Sequence, residues 1–440
     1  MTVDGGDAWH SGGGGRKQGS RRVLYLSYDG MTDPLGPSQV LPYLFGLAKL
    51  GHDITLISFE KPERTAAERA AVRSLSGANG VEWHPLSYTK RPPVLSTVRD
   101  VQAMGALAKR LHRERPFDLL HCRSYLAALI GARMKRQHGT GFLFDMRGFW
   151  ADERVDGGLW NLRNPLFRTV FAYFRAREAD FLREADHVVS LTEAARDILR
   201  SRPDGAAAAT PISVIPCCAE FDAFPPVTPE RRAAARQSLG IAPEVRVAAY
   251  LGSIGTWYLL DEMLDAFAVQ QARSPGAVML FVTRDDPAPI RSAAAARGIS
   301  PEAIVIRPAT RAEVPQFLAA ADYGLFFIKP AFSKQASSPV KLGELMALEL
   351  PVLTNAGVGD VDRILAESGA GVAVTSFDQA AYAEALDQLE ALRPHMNRWR
   401  EAARRWFDLD EGVRRYDAIY RDPSTSRNSA ISRGACDASE

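Results

Sequence analysis

The chain has 440 residues, 46% of them hydrophobic and 24% charged; at about 150 residues per domain this length holds two or three packed cores and excludes wholesale disorder. Its 54 basic and 52 acidic side chains leave a net charge of +2, too little basic excess for a broad nucleic-acid footprint. No run of ~18 apolar residues reads as a membrane span, and the N-terminus lacks a charged-then-apolar leader pattern.

The four cysteines, Cys122, Cys217, Cys218 and Cys436, are too few for a disulfide framework. The adjacent pair does not have zinc-site spacing. The expectation is a reduced, cytoplasmic protein.

Residues 1–20, with the run Gly12 to Gly15, and the stretch 421–440 read as flexible tails. Between them, short apolar runs alternate with helical patterns. Residues 22–28 (RVLYLSY) form a strand, followed by the loop 29–37 (DGMTDPLGP) and a helix from Ser38 to Leu50. Gly51 stands where a helix C′ glycine is expected. Residues 53–59 complete a βαβ unit, the building block of parallel sheets covered by helices. Further strands are expected at 118–121, 142–146, 187–191 and 212–216.

The series restarts at 246–251, with strands at 277–282, 303–306, 323–328, 351–354 and 371–374. Between the two series, 222–244 carries four prolines and no strand-like run, which places an interdomain linker there. Region 394–420 is helical, with Trp399, Trp406, Phe407 and Tyr416 as buriable anchors. The rhythm predicts an α/β protein of two Rossmann-like doubly wound domains, 21–225 and 226–393, then helices 394–420. In such sheets ligands bind beyond the carboxyl ends of the strands.

In the second half, Ser337-Ser338-Pro339 reads as a helix start, with Ser338 as N-cap and Pro339 at N1. Lys341 falls in the first turn and Glu344 three residues on, on the same face. A helix N-terminus suits a phosphate, Lys341 adds charge, and Glu344 can take vicinal hydroxyls. Together they suggest a nucleotide. A surface helix with an ion pair explains the same residues equally well.

Lysine usage tilts the balance. After Lys135 the chain has only Lys329, Lys334 and Lys341, in a sequence with 45 Arg against 9 Lys. Three ammonium groups in one loop suggest an anion site. The loop Gly252-Ser253-Ile254-Gly255-Thr256-Trp257 follows a strand, and its glycines would let backbone approach a phosphate. Any tight turn could need them too. Arg284 could clamp a diphosphate or pair with Asp285 or Asp286; those two adjacent acids lack a third metal ligand.

In the first half, loop 29–39 carries Gly30, Gly36, Ser38 and Gln39 and could hold a hydroxylated acceptor or serve as a plain turn. His121 lies at a strand end and can be structural or catalytic. Asp145 and Arg147, beside Phe149 and Trp150, suit a sugar ring or form a structural ion pair. Lys109, Arg110, Arg113 and Arg115 could meet anionic lipid at the inner face of a membrane, or form a solvated face.

Several segments are similar to a known family: YLSYDGMTDPLGPSQVLPYLFGLAKLGHDITLISFEKPER, FDMRGFWADERVDGGLW, VIPCCAEFDAF, LGSIGTWYLLDEML and SSPVKLGELMALELPV. In this order, across residues 21–420, they resemble bacterial family-4 glycosyltransferases of the GT-B fold. That resemblance implies two facing Rossmann-like domains and a last helix crossing back onto the first. It implies a nucleotide-diphosphate sugar bound by the second domain and an acceptor bound by the first. The acceptor would be a glycan, a lipid-linked sugar or a small molecule, with no nucleic acid involved. Transfer would retain anomeric configuration and need neither metal nor cofactor.

The family's Glu-x7-Glu pair falls on Ala336 and Glu344, so the ribose contact is kept and the sugar contact is missing. The Arg and Lys that often follow the second domain's first strand are replaced by Ser253 and by Trp257 or Tyr258. Lys341 and the helix N-terminus would then supply the charge, with Arg284 in reserve. The donor side therefore comprises Gly252, Ser253, Gly255, Thr256, Arg284, Ser338, Lys341 and Glu344. His121 maps to the family's candidate catalytic histidine, with Lys341 and Glu344 as further catalytic candidates. Gly36, Ser38, Gln39, Asp145 and Arg147 form the acceptor side. The expected activity is hexosyl transfer in cell-surface polysaccharide or glycolipid assembly. The alternatives are a nucleotide-sugar epimerase-like enzyme and an inactive nucleotide-sugar-binding subunit. A nicotinamide oxidoreductase is disfavoured, because no G-x-G-x-x-G opens either half.

Overall fold

The computed structural model describes residues 19–392 and 398–425. Most of both expected tails, and the start of the expected C-terminal helical region, lie outside the described residues. Among the described residues, thirteen strands form two all-parallel sheets. The first holds β1 (Arg22–Ser27), β2 (Asp53–Glu60), β3 (Val81–Ser87), β4 (Leu119–Arg123), β5 (Gly141–Asp145), β6 (His187–Ser190) and β7 (Ile212–Val214) in the order β3-β2-β1-β4-β5-β6-β7. The second holds β8 (Val247–Leu251), β9 (Val278–Val282), β10 (Ile304–Arg307), β11 (Tyr323–Leu325), β12 (Val352–Asn355) and β13 (Gly371–Val374) in the order β10-β9-β8-β11-β12-β13.

The central strands are fully buried and mostly apolar, as parallel strands covered on both faces are, with their polar residues at the strand ends and at His121. Register sets Ser27, Arg123 and Asp145 in one row at the carboxyl edge of the first sheet.

The structure departs from the sequence reading at five places. Strand β3 was not expected; Pro85 lies within it, and it is tolerated because β3 is an edge strand. The helix expected from Ser38 to Leu50 is two helices, α1 (Leu35–Gln39) and α2 (Leu41–Lys49), broken at Val40. Pro42 has no N–H to continue a ladder across that break. The expected linker contains a helix, Pro229–Leu239, whose Ala235 and Leu239 join the second lobe's core. Arg236 and Arg232 of that helix pair with Asp322.

The C-terminal region divides between the lobes. Trp399 and Phe407, on the helix Trp399–Phe407, bury into the second core. Val413, Tyr416, Ile419 and Tyr420, on the helix Leu409–Arg421, cross back and pack on the first sheet. Finally, Arg421 to Thr425 belong to this ordered region, and Thr425 is buried, its hydroxyl donating to the Ile419 carbonyl.

Candidate active site between the lobes

On the second lobe, the turn after β8 places Gly252 at φ +104°, a conformation that favours glycine. The turn is already organised from within. Asp285 Oδ2 accepts from the Ser253 hydroxyl at 2.9 Å and from the Ile254 N–H at 2.6 Å. Ser253 is thus bound to its own lobe, while Gly255 and Thr256 are exposed beside it. Arg284 is also exposed, and its Nε donates to the Ala309 carbonyl at 2.9 Å.

The helix α3 (Val340–Ala347) begins one residue later than expected. Pro339 occupies the N-cap position and no side chain caps it. Ser338 is not the cap; its Oγ accepts from the Cys217 N–H across the lobes at 3.1 Å. Lys341 is buried. Its ammonium lies 3.5 Å from the centre of the Tyr258 ring and 4.1 Å from that of Tyr250, with Phe326 at 5.6 Å. Its Nζ has no hydrogen-bond partner among the described residues. Burial drives its pKa well below the ordinary value; Glu344 opposes that shift without cancelling it. Glu344 is buried too and pairs with Arg311, whose guanidinium stacks 4.7 Å over Phe224. Ala336, at the place of the missing carboxylate, joins the apolar core of the first lobe.

The three lysines differ in their present partners, and only Lys341 Nζ has none among the described residues. Lys329 Nζ donates to the Asp156 carbonyl at 3.2 Å, and Lys334 Nζ lies 2.8 Å from Glu153 Oε1. Both acceptors belong to α4 (Trp150–Asp156) of the first lobe. Phe332 stacks on Phe149 in the same seam, with ring centres 5.0 Å apart.

On the first lobe, Glu60 organises loop 29–39. Its carboxylate accepts from Met31 N–H at 2.7 Å, Thr32 N–H at 3.0 Å and Ser58 Oγ at 2.9 Å. Gly36 is needed for packing: a Cβ there would lie 2.5 Å from Met31. Ser38 is half-buried and donates to the Pro34 carbonyl. Gln39 is buried and donates to the Cys218 carbonyl at 3.0 Å, tying the loop to the interlobe segment.

His121 does not reach the cleft. It is 1% exposed, with Nδ1 2.7 Å from the Tyr420 hydroxyl and Nε2 3.3 Å from Asp145 Oδ2. Burial lowers its pKa. Asp145 also accepts from the Tyr416 hydroxyl at 3.2 Å. Burial opposes its ionisation, but Arg147 and then His121 outweigh that and hold its pKa below the usual value. Arg147, at φ +58°, donates to Cys217 Sγ at 3.1 Å. These residues lock the crossing helix to the sheet rather than line an open acceptor site. The basic run is thinned as well: Arg115 pairs with Asp53 at 2.8 Å and Arg110 with Glu114 at 3.8 Å. Among the described residues no helix is long and apolar enough to cross a membrane.

Residues 39–218 match the family described as Glycosyl transferase 4-like domain, and 231–406 match Glycosyl transferases group 1. The chain belongs to this glycosyltransferase family. No curated protein matches the sequence significantly. Solved structures resemble it throughout. A glycosyltransferase from Rickettsia africae ESF-5 superposes with a TM-score of 0.65 at 14% identity, over 92% of this chain and 98% of the other. Anabaena HepE, in complex with UDP and glucose, gives 0.63 at 13% identity, over 91% and 99%. WaaG, a glycosyltransferase involved in lipopolysaccharide biosynthesis, gives 0.61 at 18%, over 90% and 99%. At these identities the likeness establishes the GT-B fold.

In this glycosyltransferase, Gly252 and Lys341 come together, since a Cβ on Gly252 would sit 3.6 Å from Lys341 Nζ, and the charge of Glu344 acts on Lys341 from the same helix. Ser253, Ser338, Arg284 and His121 each have another engagement. Sequence reasoning missed Arg311, Glu60, Glu153 and the aromatic box of Tyr250, Tyr258 and Phe326. Only the box had a signal, because aromatics replace the usual basic residues near 257 and 258.

Proposed function

We propose that this glycosyltransferase moves a hexose, with retention, from a nucleotide-diphosphate sugar to a hydroxyl of a glycan, lipid-linked or small-molecule acceptor. The single observation behind this reading is Lys341. A buried ammonium with no anionic partner of its own beyond a neighbouring carboxylate is costly, and it faces a glycine turn and a helix N-terminus. A diphosphate placed there would complete it.

In the reaction the bond between the sugar's anomeric carbon and the diphosphate oxygen breaks, and the acceptor oxygen forms the new bond. The acceptor proton passes to the departing diphosphate. Lys341 and the free N–H groups of α3 stabilise the charge that develops on that leaving group, which is where preorganised cations lower a barrier most. Glu344, steadied by Arg311, holds the ribose hydroxyls. His121 takes no part, since both its nitrogens are engaged within the fold.

Thermal unfolding with uridine, guanosine and adenosine diphosphates tests the reading. The matching nucleotide at ~100 Kd should add about 2.7 kcal/mol. Lys341→Ala should abolish that gain and lower kcat/KM for the donor at least ~100-fold. A donor affinity and rate untouched by Lys341→Ala would reject it. Sugar turnover with donor alone would instead favour an epimerase-like activity.

A further inference from the structure

Lys334 shares a setting with Lys341. It is 5% exposed, with its ammonium 3.5 Å from the centre of the Trp257 ring. Lys341 rests on the ring of the next residue, Tyr258, at the same distance. Two buried ammonium groups from one segment therefore sit on consecutive aromatics of the loop that starts at Gly252. A ring face holds a cation without using its N–H donors, so the donors remain free for an anion.

The two lysines differ in one respect. Lys334 has a carboxylate at 2.8 Å, and that carboxylate, Glu153, belongs to the other lobe. The Glu153 side chain is 39% exposed, so solvent weakens its hold on the ammonium. An ammonium has three donors and this contact uses one. A diphosphate bears more charge and more acceptor oxygens than one carboxylate.

We infer that Lys334 is a second ligand for the donor's diphosphate and that Glu153 is a built-in competitor for it. Donor binding then trades a cross-lobe ion pair for a phosphate contact, and loosens the seam between α4 and the turn Phe332–Ala336. This rests on the donor site proposed above. If Lys334 and Glu153 were merely a brace between lobes, removing Glu153's charge would not improve nucleotide binding.

Titration calorimetry on the full chain separates these accounts, using whichever of the three nucleoside diphosphates stabilises the protein, and its monophosphate. Lys334→Ala should raise the diphosphate Kd ~10-fold or more and the monophosphate Kd less than ~3-fold, because a charge-assisted contact to the second phosphate is lost. Glu153→Gln keeps the shape, so it should still fold, and should lower the diphosphate Kd ~3–10-fold, the opposite direction. An unchanged or weakened diphosphate affinity in Glu153→Gln overturns the inference. So does equal weakening of both nucleotides by Lys334→Ala. If the wild type binds and Lys341→Ala does not, while the Lys334 and Glu153 variants match the wild type, this inference falls and the donor site stands. A wild type that binds none of the three removes both.

Discussion

The two sheets present the same edge to the cleft and handle charge there in opposite ways. At the ends of β1, β4 and β5, Asp29 holds Arg123 at 3.1 Å, and Asp145 lies among His121, Tyr416 and Arg147. The crossing helix Leu409–Arg421 covers this group. At the corresponding edge of the second sheet, Lys341 has aromatic faces around it and no side-chain hydrogen bond among the described residues. A buried charge that is compensated locally holds a fold together; one that is not awaits a partner from outside. The same residue types can thus be structural in one lobe and ligand-binding in the other.

The largest expected effect breaks the compensated side. Asp145→Asn removes the carboxylate from between Arg147 and His121 and should cost about 3–5 kcal/mol of unfolding free energy, read by urea denaturation. In the other lobe the sign reverses. Lys341→Met replaces an uncompensated ammonium with an apolar chain of similar length, and should stabilise the ligand-free protein by roughly 1–2 kcal/mol. If both substitutions destabilise by similar amounts, the two edges do not differ in the way described.

Gly252→Ala sharpens the comparison at one atom. The position has φ +104°, so a Cβ should cost about 1–3 kcal/mol. It would also sit 3.6 Å from Lys341 Nζ, at the point where an anion would approach. Donor affinity should fall along with stability. Loss of stability with full nucleotide affinity would show that ligands do not approach past Gly252.

Most of the scaffold could be read from sequence because parallel strands are near-continuous apolar runs, and twelve of them stood out. The edge strand β3 (VEWHPLS) did not, since an edge needs neither continuous burial nor freedom from proline. Glu344 and Lys341 were legible from their spacing on one helix face. Their partners were not. Arg311 is 33 residues from Glu344 in sequence, and no local pattern links them. Lysine enrichment in 329–341 was real, but its meaning was split: Lys329 and Lys334 reach across to α4, a contact set by how the lobes meet. His121 looked like a strand-end residue. It became internal because Tyr416 and Tyr420 return some 300 residues later to cover it.

The smallest expected effect is a fraction of a proton, and it tests Lys341 directly. Burial sets its folded pKa well below the ordinary 10.5. Between those two values the unfolded chain carries this proton and the folded chain does not, so stability from this group rises with pH across that window. It is lost as pH falls through the folded value, where the ammonium must be charged inside its box. A bound diphosphate stabilises the charged form and raises that pKa. Nucleotide binding within the window should therefore take up a proton, to a limit of about one per site. Calorimetric binding enthalpies in buffers of different ionisation heat, at a series of pH values below 10.5, measure the uptake as a slope and locate the window. Lys341→Met, if it still binds, should remove its share of that slope and leave the nucleotide's own titration as the remainder. Equal slopes in wild type and variant would mean that Lys341 keeps one charge state throughout, and that the ammonium needs no phosphate to hold it.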